Sequence, residues 1–474
     1  MSRLVLDWTK AHDVKPLEQH LATKLESMQS ARKSLINKTG AEAEMTGWVD
    51  YALNDGFEDL AELQETIEEI QGHSDALVVV GIGGSLLGTK AVYEALTHSF
   101  SRMNQEKFHG KPLLFWAGHH LAGDEMVELL DALDQCTPSV VVISKSGGTT
   151  EPAMAFRILK EYLVARFGHT EATARTYTIT SPDSGTLLDI ANEHQYPHYS
   201  IPNSIGGRYS VFSNVGLLPL SAAGINTEEL MHGVAQATRD CLDENNNDYE
   251  TNPAMCYAAL RNSLYAEGYK IEALCHWSPK LAGVAEWWKQ LFGESDGKEN
   301  TGLYPASAQF STDLHSLGQY FQEGERHMFA THIKVNDAYS LSRGSIKRRI
   351  RIPNSDLDDN FDYLGGKDLI TVQNSAQQGT FLAHADGGLP TLIWEIPELN
   401  AWWLGYWLYT NMFACALSGY ERAINPFNQP GVEAYKKNMF GLLGKPGFEE
   451  YGQQLKSRME MGGRLKSMSL TSLT

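Results

Sequence analysis

Apolar positions along the chain change rhythm several times, and each change marks an element. Leu60, Leu63, Ile67 and Ile70 recur at helical spacing, and the first 70 or so residues read as helices. At Ala76-Leu-Val-Val-Val80 the pattern becomes an unbroken apolar run, the mark of a strand buried on both faces of a parallel sheet. That run enters Gly81-Ile-Gly-Gly-Ser-Leu-Leu-Gly88, and a helix is predicted from Thr89. The alternation then repeats. Further strands are predicted at Leu113 to Trp116, Ser139 to Ile143 and Tyr177 to Thr180. One helix is predicted over Asp124 to Leu133, and a second carries Ala155, Ile158, Leu159 and Tyr162 on one face. Strand–helix alternation implies right-handed crossovers and a doubly wound sheet, with ligands at the carboxyl ends of its strands.

A second α/β unit is predicted to begin near Ile271-Glu-Ala-Leu-Cys275, with a helix over Leu281 to Phe292 behind it. Leu392 to Ile396 and the helix from Ala401 belong to the same unit. The polar run Asp243 to Asn252 lies near the boundary. The expected organisation is therefore a helical extension at 1–70, one α/β domain at 71–240, and another at 241–474 with a C-terminal helical segment. Residues 342–362, with Lys347-Arg348-Arg349, read as an exposed insertion whose basic triplet is a solvated face.

Bulk properties narrow the function. A length of 474 residues exceeds one ordinary core. The net charge of −19 argues against nucleic acid or an anionic membrane as the main partner. Ala401 to Ser418 is the most apolar long stretch, but Thr410 and Asn411 interrupt it, so it reads as a buried helix rather than a membrane span. Five scattered cysteines without C-x-x-C spacing, and a start lacking an apolar leader, imply reduced thiols in the cytoplasm. His73, His119 and His120 fall into no zinc-ligand pattern. Neither Asp243–Asp248 nor Asp356–Asp359 has the glycine and closing glutamate of a calcium loop.

Two loops carry candidate chemistry. Gly81 to Lys90 is neither a dinucleotide fingerprint, since Leu86 stands where the third glycine belongs, nor a nucleotide P-loop, since its order is Gly88-Thr89-Lys90. It remains a glycine-rich strand-to-helix turn whose N–H groups can face an anion or simply allow close packing. Ser144-Lys-Ser-Gly-Gly-Thr-Thr-Glu-Pro152 is more telling. Four hydroxyls, two glycines and a lysine precede a helix predicted to start at Pro152, a composition suited to a phosphate dianion.

Together with Gly81-Ile-Gly-Gly-Ser85, this loop resembles the sugar-isomerase domain of phosphosugar proteins. Three further stretches narrow the resemblance to the phosphoglucose isomerase family, in its shorter bacterial form. They are Gly206-Gly-Arg-Tyr-Ser210, Gly293-Glu-Ser-Asp-Gly-Lys298, and Asn425-Pro-Phe-Asn-Gln-Pro-Gly-Val-Glu-Ala-Tyr-Lys436. The matches run in the family's order from about residue 70 to 450. The resemblance implies two doubly wound parallel-sheet sugar-isomerase domains with helical N- and C-terminal extensions. It implies the interconversion of glucose 6-phosphate and fructose 6-phosphate through a cis-enediol, without metal or redox cofactor.

The same resemblance assigns roles. Glu294 matches the base that moves a proton between C2 and C1, and Arg208 the cation that stabilises the enediolate. His315 and Lys436 match the ring-opening residues. Gly84, Ser85, Gln290 and Gln429 match positions lining the sugar, and Ser144, Lys145, Ser146, Gly147 and Thr149 match the phosphate clamp. A homodimer is implied, with His315 reaching across from the partner chain. One departure is Asn428, a neutral amide where the family usually has aspartate. Two rivals are an aminosugar-phosphate isomerase, which lacks the Gly293 and Asn425 stretches, and a phosphosugar-sensing regulator. The N-terminal 70 residues show no basic recognition helix of the kind such a regulator carries.

Overall fold

A computed structural model describes residues 3–103, 110–337, 340–342, 346–356 and 359–463. Its strands are β1 (Val5–Asp7), β2 (Ala76–Val80), β3 (Leu113–Ala117), β4 (Pro138–Ile143), β5 (Thr176–Thr180) and β6 (His198–Ser200), followed by β7 (Ile271–His276), β8 (Tyr304–Gln309), β9 (Met328–Asp337), β10 (Ser340–Ser342), β11 (Ile346–Arg348) and β12 (Thr391–Glu398). One sheet has the order β3-β2-β4-β5-β6 and is parallel throughout. The other runs β1-β12-β9-β7-β8, parallel except for β1, which pairs antiparallel with β12. The N-terminal segment is thus not purely helical: its first element is an edge strand of the second sheet.

Alternation of side chains explains the unbroken apolar run of β2. Leu77 and Val79 pack in the large core with Ala91 and Val92 of the helix Leu87–Leu96. Ala76, Val78 and Val80 point the other way, against Ala155 and Leu159 of the helix Thr150–Ala174. That second helix differs from expectation in two details. It starts at Thr150, so Pro152 lies within the first turn, where a missing N–H still costs no hydrogen bond. Ile158, three residues from Ala155, falls on the flank and is exposed, while Leu159 and Leu163 take the buried side.

The order of the first sheet reverses between β2 and β4, because their crossover helices cover opposite faces. This is the place where open α/β sheets form a ligand crevice, and the Gly81 and Ser144 loops both leave from it.

The helix Ala282–Asp296 follows β7, and the helix Ala401–Glu421 is almost wholly buried. The polar residues that interrupt the latter are bonded within it, Thr410 to the Tyr406 carbonyl at 2.8 Å and Asn411 to the Trp407 carbonyl at 2.9 Å. Among the described residues no helix is long and apolar enough to cross a membrane. In the predicted insertion, residues 343–345 and 357–358 lie outside the described residues. β10 and β11 pair antiparallel, and Arg349, which is exposed, pairs with Asp337.

One compact unit ends at Phe427 and a second begins at Asn428. In the second, the helices Glu433–Leu442 and Glu449–Gly463 cross at Gly441 and Gly452, where a Cβ on Gly452 would lie 2.2 Å from the Gly441 carbonyl oxygen.

In the first unit Arg261, Glu272 and Asp296 are sealed from water together. Arg261 donates to Glu272 at 2.5 Å and pairs with Asp296 at 2.9 Å, all three with no side-chain exposure. Tyr257 and Thr331 donate to the other Glu272 oxygen at 2.6 and 2.7 Å, and the guanidinium lies 3.9 Å from the Phe292 ring centre. Burial alone would favour discharge of Arg261; Glu272 and Asp296 more than offset it and hold the guanidinium charged. Arg261→Met leaves Glu272 buried without its cation and Asp296 with only Arg422, at 3.7 Å. We expect a loss of about 3–5 kcal/mol of stability, seen as a lowered thermal midpoint by circular dichroism. Adding Glu272→Gln should recover part of it, so that the two changes are less than additive.

Candidate active site

The Gly81 loop sets the geometry of its neighbours by having no side chains. Gly83–Ser85 form a tight 3-10 turn ahead of the helix Leu87–Leu96, and Gly83 has φ +56°. A Cβ on Gly84 would stand 2.1 Å from the Gly207 carbonyl carbon and 2.7 Å from the Arg208 nitrogen. Only glycine permits this backbone-to-backbone contact. The Ser210 hydroxyl fastens it by donating to the carbonyls of Gly207 at 2.7 Å and Gly84 at 3.3 Å. Two motifs 120 or so residues apart in sequence thereby form one surface.

Arg208 projects from this contact and is almost fully buried. Its Nε donates to the Ser295 hydroxyl at 2.9 Å, Nη1 to Glu294 Oε2 at 3.2 Å, and Nη2 to the Pro426 carbonyl at 2.5 Å. Gln290, one helical turn before Glu294, donates to Oε1 at 3.1 Å. Gln290 also faces Gly83, where an added Cβ would come within 2.9 Å of its amide nitrogen. Both oxygens of Glu294 are therefore oriented by donors from within the chain, while 29% of the side chain stays open to solvent. A carboxylate so held can accept a proton from a bound molecule, with a guanidinium beside it to balance charge that develops there. Ser85 is partly exposed on the same turn, and its hydroxyl has no partner among the described residues.

The serine–threonine loop leaves β4 at Ser144. The Ser144 hydroxyl accepts from the Gly147 nitrogen at 3.1 Å, and the Ser146 hydroxyl from the Gly148 nitrogen at 3.2 Å. Gly147 has φ +67° and abuts Leu187, where a Cβ would lie 2.3 Å from the backbone nitrogen. Thr149 caps the following helix with backbone geometry but no side-chain bond, leaving its hydroxyl available at the positive end of the helix. Lys145 is half-buried, and its ammonium points elsewhere. It donates to the carbonyls of Asn203 at 2.9 Å and Ile205 at 3.2 Å, and burial lowers its pKa. It ties the loop to the chain entering Gly206, so any anion held here meets N–H dipoles and hydroxyls rather than a free lysine.

The remaining predicted residues are placed as follows. His315 ends the exposed 3-10 turn Thr312–His315 after β8, and no hydrogen bond joins it to Glu294 or Arg208 among the described residues. Gln429 is exposed and Lys436 partly so in the second unit, where Lys436 pairs with Glu433 at 3.0 Å. Ser295 went unassigned in the sequence although it stands inside a quoted motif. Its role as an arginine partner depends on the fold bringing residue 208 beside residue 295.

A family model for phosphoglucose isomerase matches residues 62–330. The glucose-6-phosphate isomerase of Alkaliphilus metalliredigens is 45% identical over 97% of this chain and all of its own length. That of Bacillus cytotoxicus is 44% identical with the same coverage. Among solved structures, a protein of Thermus thermophilus described as hypothetical superposes with TM-score 0.80 at 26% identity, over 92% of this chain and 98% of that one. The glucose-6-phosphate isomerase of Chlamydia trachomatis shares the fold with TM-score 0.70 at 19% identity, over 96% and 92% of the two chains. With its glycine turn, buried arginine and oriented glutamate carried on a full-length match of this kind, the chain belongs to the phosphoglucose isomerase family.

Proposed function

We propose that this chain interconverts glucose 6-phosphate and fructose 6-phosphate, with Glu294 as the proton-transfer base. The observation that carries the assignment of roles is the Gln290–Glu294–Arg208 constellation, in a chain matching curated isomerases over nearly its whole length. Moving a carbonyl between C1 and C2 requires removal of the C2 proton and its return to C1. One carboxylate serves both steps if the sugar stays in place between them. Glu294 takes the proton, the negative charge passes to the O1 and O2 oxygens of a cis-enediolate, and Arg208 is the adjacent cation to hold it. The Ser144–Thr149 loop anchors the phosphate, with Gly84, Ser85, Gln290 and Gln429 lining the sugar. Lys436 and His315 open the ring, no metal or redox cofactor taking part.

The reading extends to assembly. His315 is exposed and unconnected to Glu294 within the chain, which fits a homodimer in which it completes the partner's site. Sheet membership supports the division at about residue 240, since β2–β6 and β7–β9 with β12 fall on either side of it. We also place the enzyme in the cytoplasm, in keeping with its five free thiols.

Glu294→Gln keeps shape and loses basicity. Its kcat should fall by at least ~10²-fold with sugar-phosphate affinity largely kept, and solvent deuterium should no longer enter C2 by NMR; near-normal turnover would exclude Glu294 as the base. Thr149→Ala should raise KM for both sugar phosphates and the inhibition constant of inorganic phosphate by a common factor, equivalent to ~1–3 kcal/mol, with kcat little changed. An unmoved phosphate inhibition constant would put the anchor elsewhere. Assembly can be read from hybrids. Glu294→Gln and His315→Ala homodimers should each be nearly inactive. After subunit exchange of an equal mixture, about half the dimers are mixed and each carries one intact site, so activity should return to about a quarter of native. With exchange verified by mass spectrometry, a mixture that stays dead would show that His315 does not act across the interface.

A further inference from the structure

Lys298 lies four residues beyond Glu294 and takes part in none of the roles above. It follows the end of the Ala282–Asp296 helix, where its backbone is fixed by bonds to Asp296 at 3.0 Å and from Thr301 at 2.8 Å. That fixed backbone delivers the ammonium inward. Lys298 Nζ donates to the Ser295 carbonyl at 3.0 Å and to the Asn425 carbonyl at 2.5 Å. Arg208 grips the same two stretches from its own side, through the Ser295 hydroxyl and the Pro426 carbonyl. Consecutive carbonyls at 425 and 426 are thus each taken by a different cation, and Ser295 is bonded to both.

We propose that Lys298 is a positioning residue: it fixes Ser295 and the Asn425–Pro426 backbone so that these, in turn, fix the guanidinium of Arg208 against Glu294. The proposal rests on the roles given above to Glu294 and Arg208. A surface lysine pairing with a carboxylate would contribute little and tolerate replacement. Lys298 instead directs its charge at two main-chain carbonyls, bonds whose purpose is geometric. Removing the ammonium takes its bond from the Asn425 carbonyl and loosens Pro426, whose carbonyl accepts from Arg208.

The surroundings make this strap sensitive to alkali. Burial, and then repulsion from Arg208, lowers the Lys298 pKa to about 8; Cys415, Asp296 and Glu42 act in the opposite direction without restoring it. The charged strap is present below that value and is lost as pH rises through it.

The test is Lys298→Met, which keeps the aliphatic stem and removes the donors. With the native enzyme interconverting the two sugar phosphates, kcat of the variant should fall by ~10-fold or more, as for a displaced group. KM and the inorganic phosphate inhibition constant should stay within about twofold, because the phosphate loop is untouched. The native kcat profile should also show an alkaline inflection near pH 8 that the variant lacks. Unchanged kcat, or an inflection near 8 that persists in the variant, overturns the proposal. Should the methionine variant fail to fold, Lys298→Arg keeps the charge throughout the range. It should retain measurable turnover without the inflection, and an inflection at the native position would again overturn the proposal. A native enzyme with no sugar-phosphate turnover would instead refute the isomerase reading itself.

Discussion

A carboxylate shut away from water needs a cation beside it, and Asp296 has Arg261 at 2.9 Å. That pairing fixes more than charge. Asp296 closes the helix, and the two residues before it are Glu294 and Ser295, so anchoring Asp296 anchors their turn to the core. Arg261 comes from the helix Pro253–Ala266 and its other partner, Glu272, from β7, the strand that leads into the Glu294 helix. The carboxyl end of the Glu294 helix is thereby pinned to a buried charge network that it shares with β7. Such networks contribute little net stability compared with apolar packing, yet they tolerate few alternative geometries. Here that intolerance keeps the Glu294 carboxylate in one place, as the proposed proton transfers require.

The second constraint is steric. Gly84 and Gly207 meet main chain to main chain, which leaves no room for an intervening side chain and brings the Arg208 turn down onto the carboxyl end of β2. One consequence is electrostatic. The protein carries a net charge of −19, an unfavourable setting for a phosphorylated substrate. At physiological ionic strength exposed charges are screened within ~8 Å. What an anion meets near the glycine loops is the buried guanidinium and the amide dipoles of a helix start, at far shorter range. Local donors outweigh the global field.

The fold was legible wherever apolar patterning was strong. β2 through β5, β7, β12 and the buried helix from Ala401 could be read directly, because each carries a dense apolar run that outweighs the few polar residues buried with it, such as Glu272 and Asn411. β8 and β9 escaped for a physical reason: Tyr304-Pro-Ala-Ser-Ala-Gln309 has little apolar content, and β9 buries Thr331 and His332 at its centre. Polar residues inside a sheet look like loop until their partners are known, and Thr331 has its partner in Glu272. Arg208 and Glu294 were recognisable because each sits in a compact motif, whereas Gln290, three residues before Gly293, followed only from the family resemblance. The actual partners of Lys145, Ser295 and Lys298 were not, since every one of these bonds joins groups across a fold no local spacing encodes. Three-residue β1 was invisible for a similar reason, being a strand only because β12 is there.

That last pairing constrains how the chain can be made. Val5 lies opposite Glu395, so residues early in the sequence pair with residues synthesised 390 positions later. At ~5–20 residues per second the wait is roughly 20–80 s. The strands of the first sheet all lie between Ala76 and Ser200, and every one of them emerges during that interval. The first sheet can therefore form while the N-terminal strand has no place to go. Closing so long a loop adds only a few kcal/mol, because the entropic term grows with the logarithm of length. The edge of the second sheet is the last to be sealed. Until then β12 presents an open row of backbone donors and acceptors, and another chain's strand could take the position meant for β1.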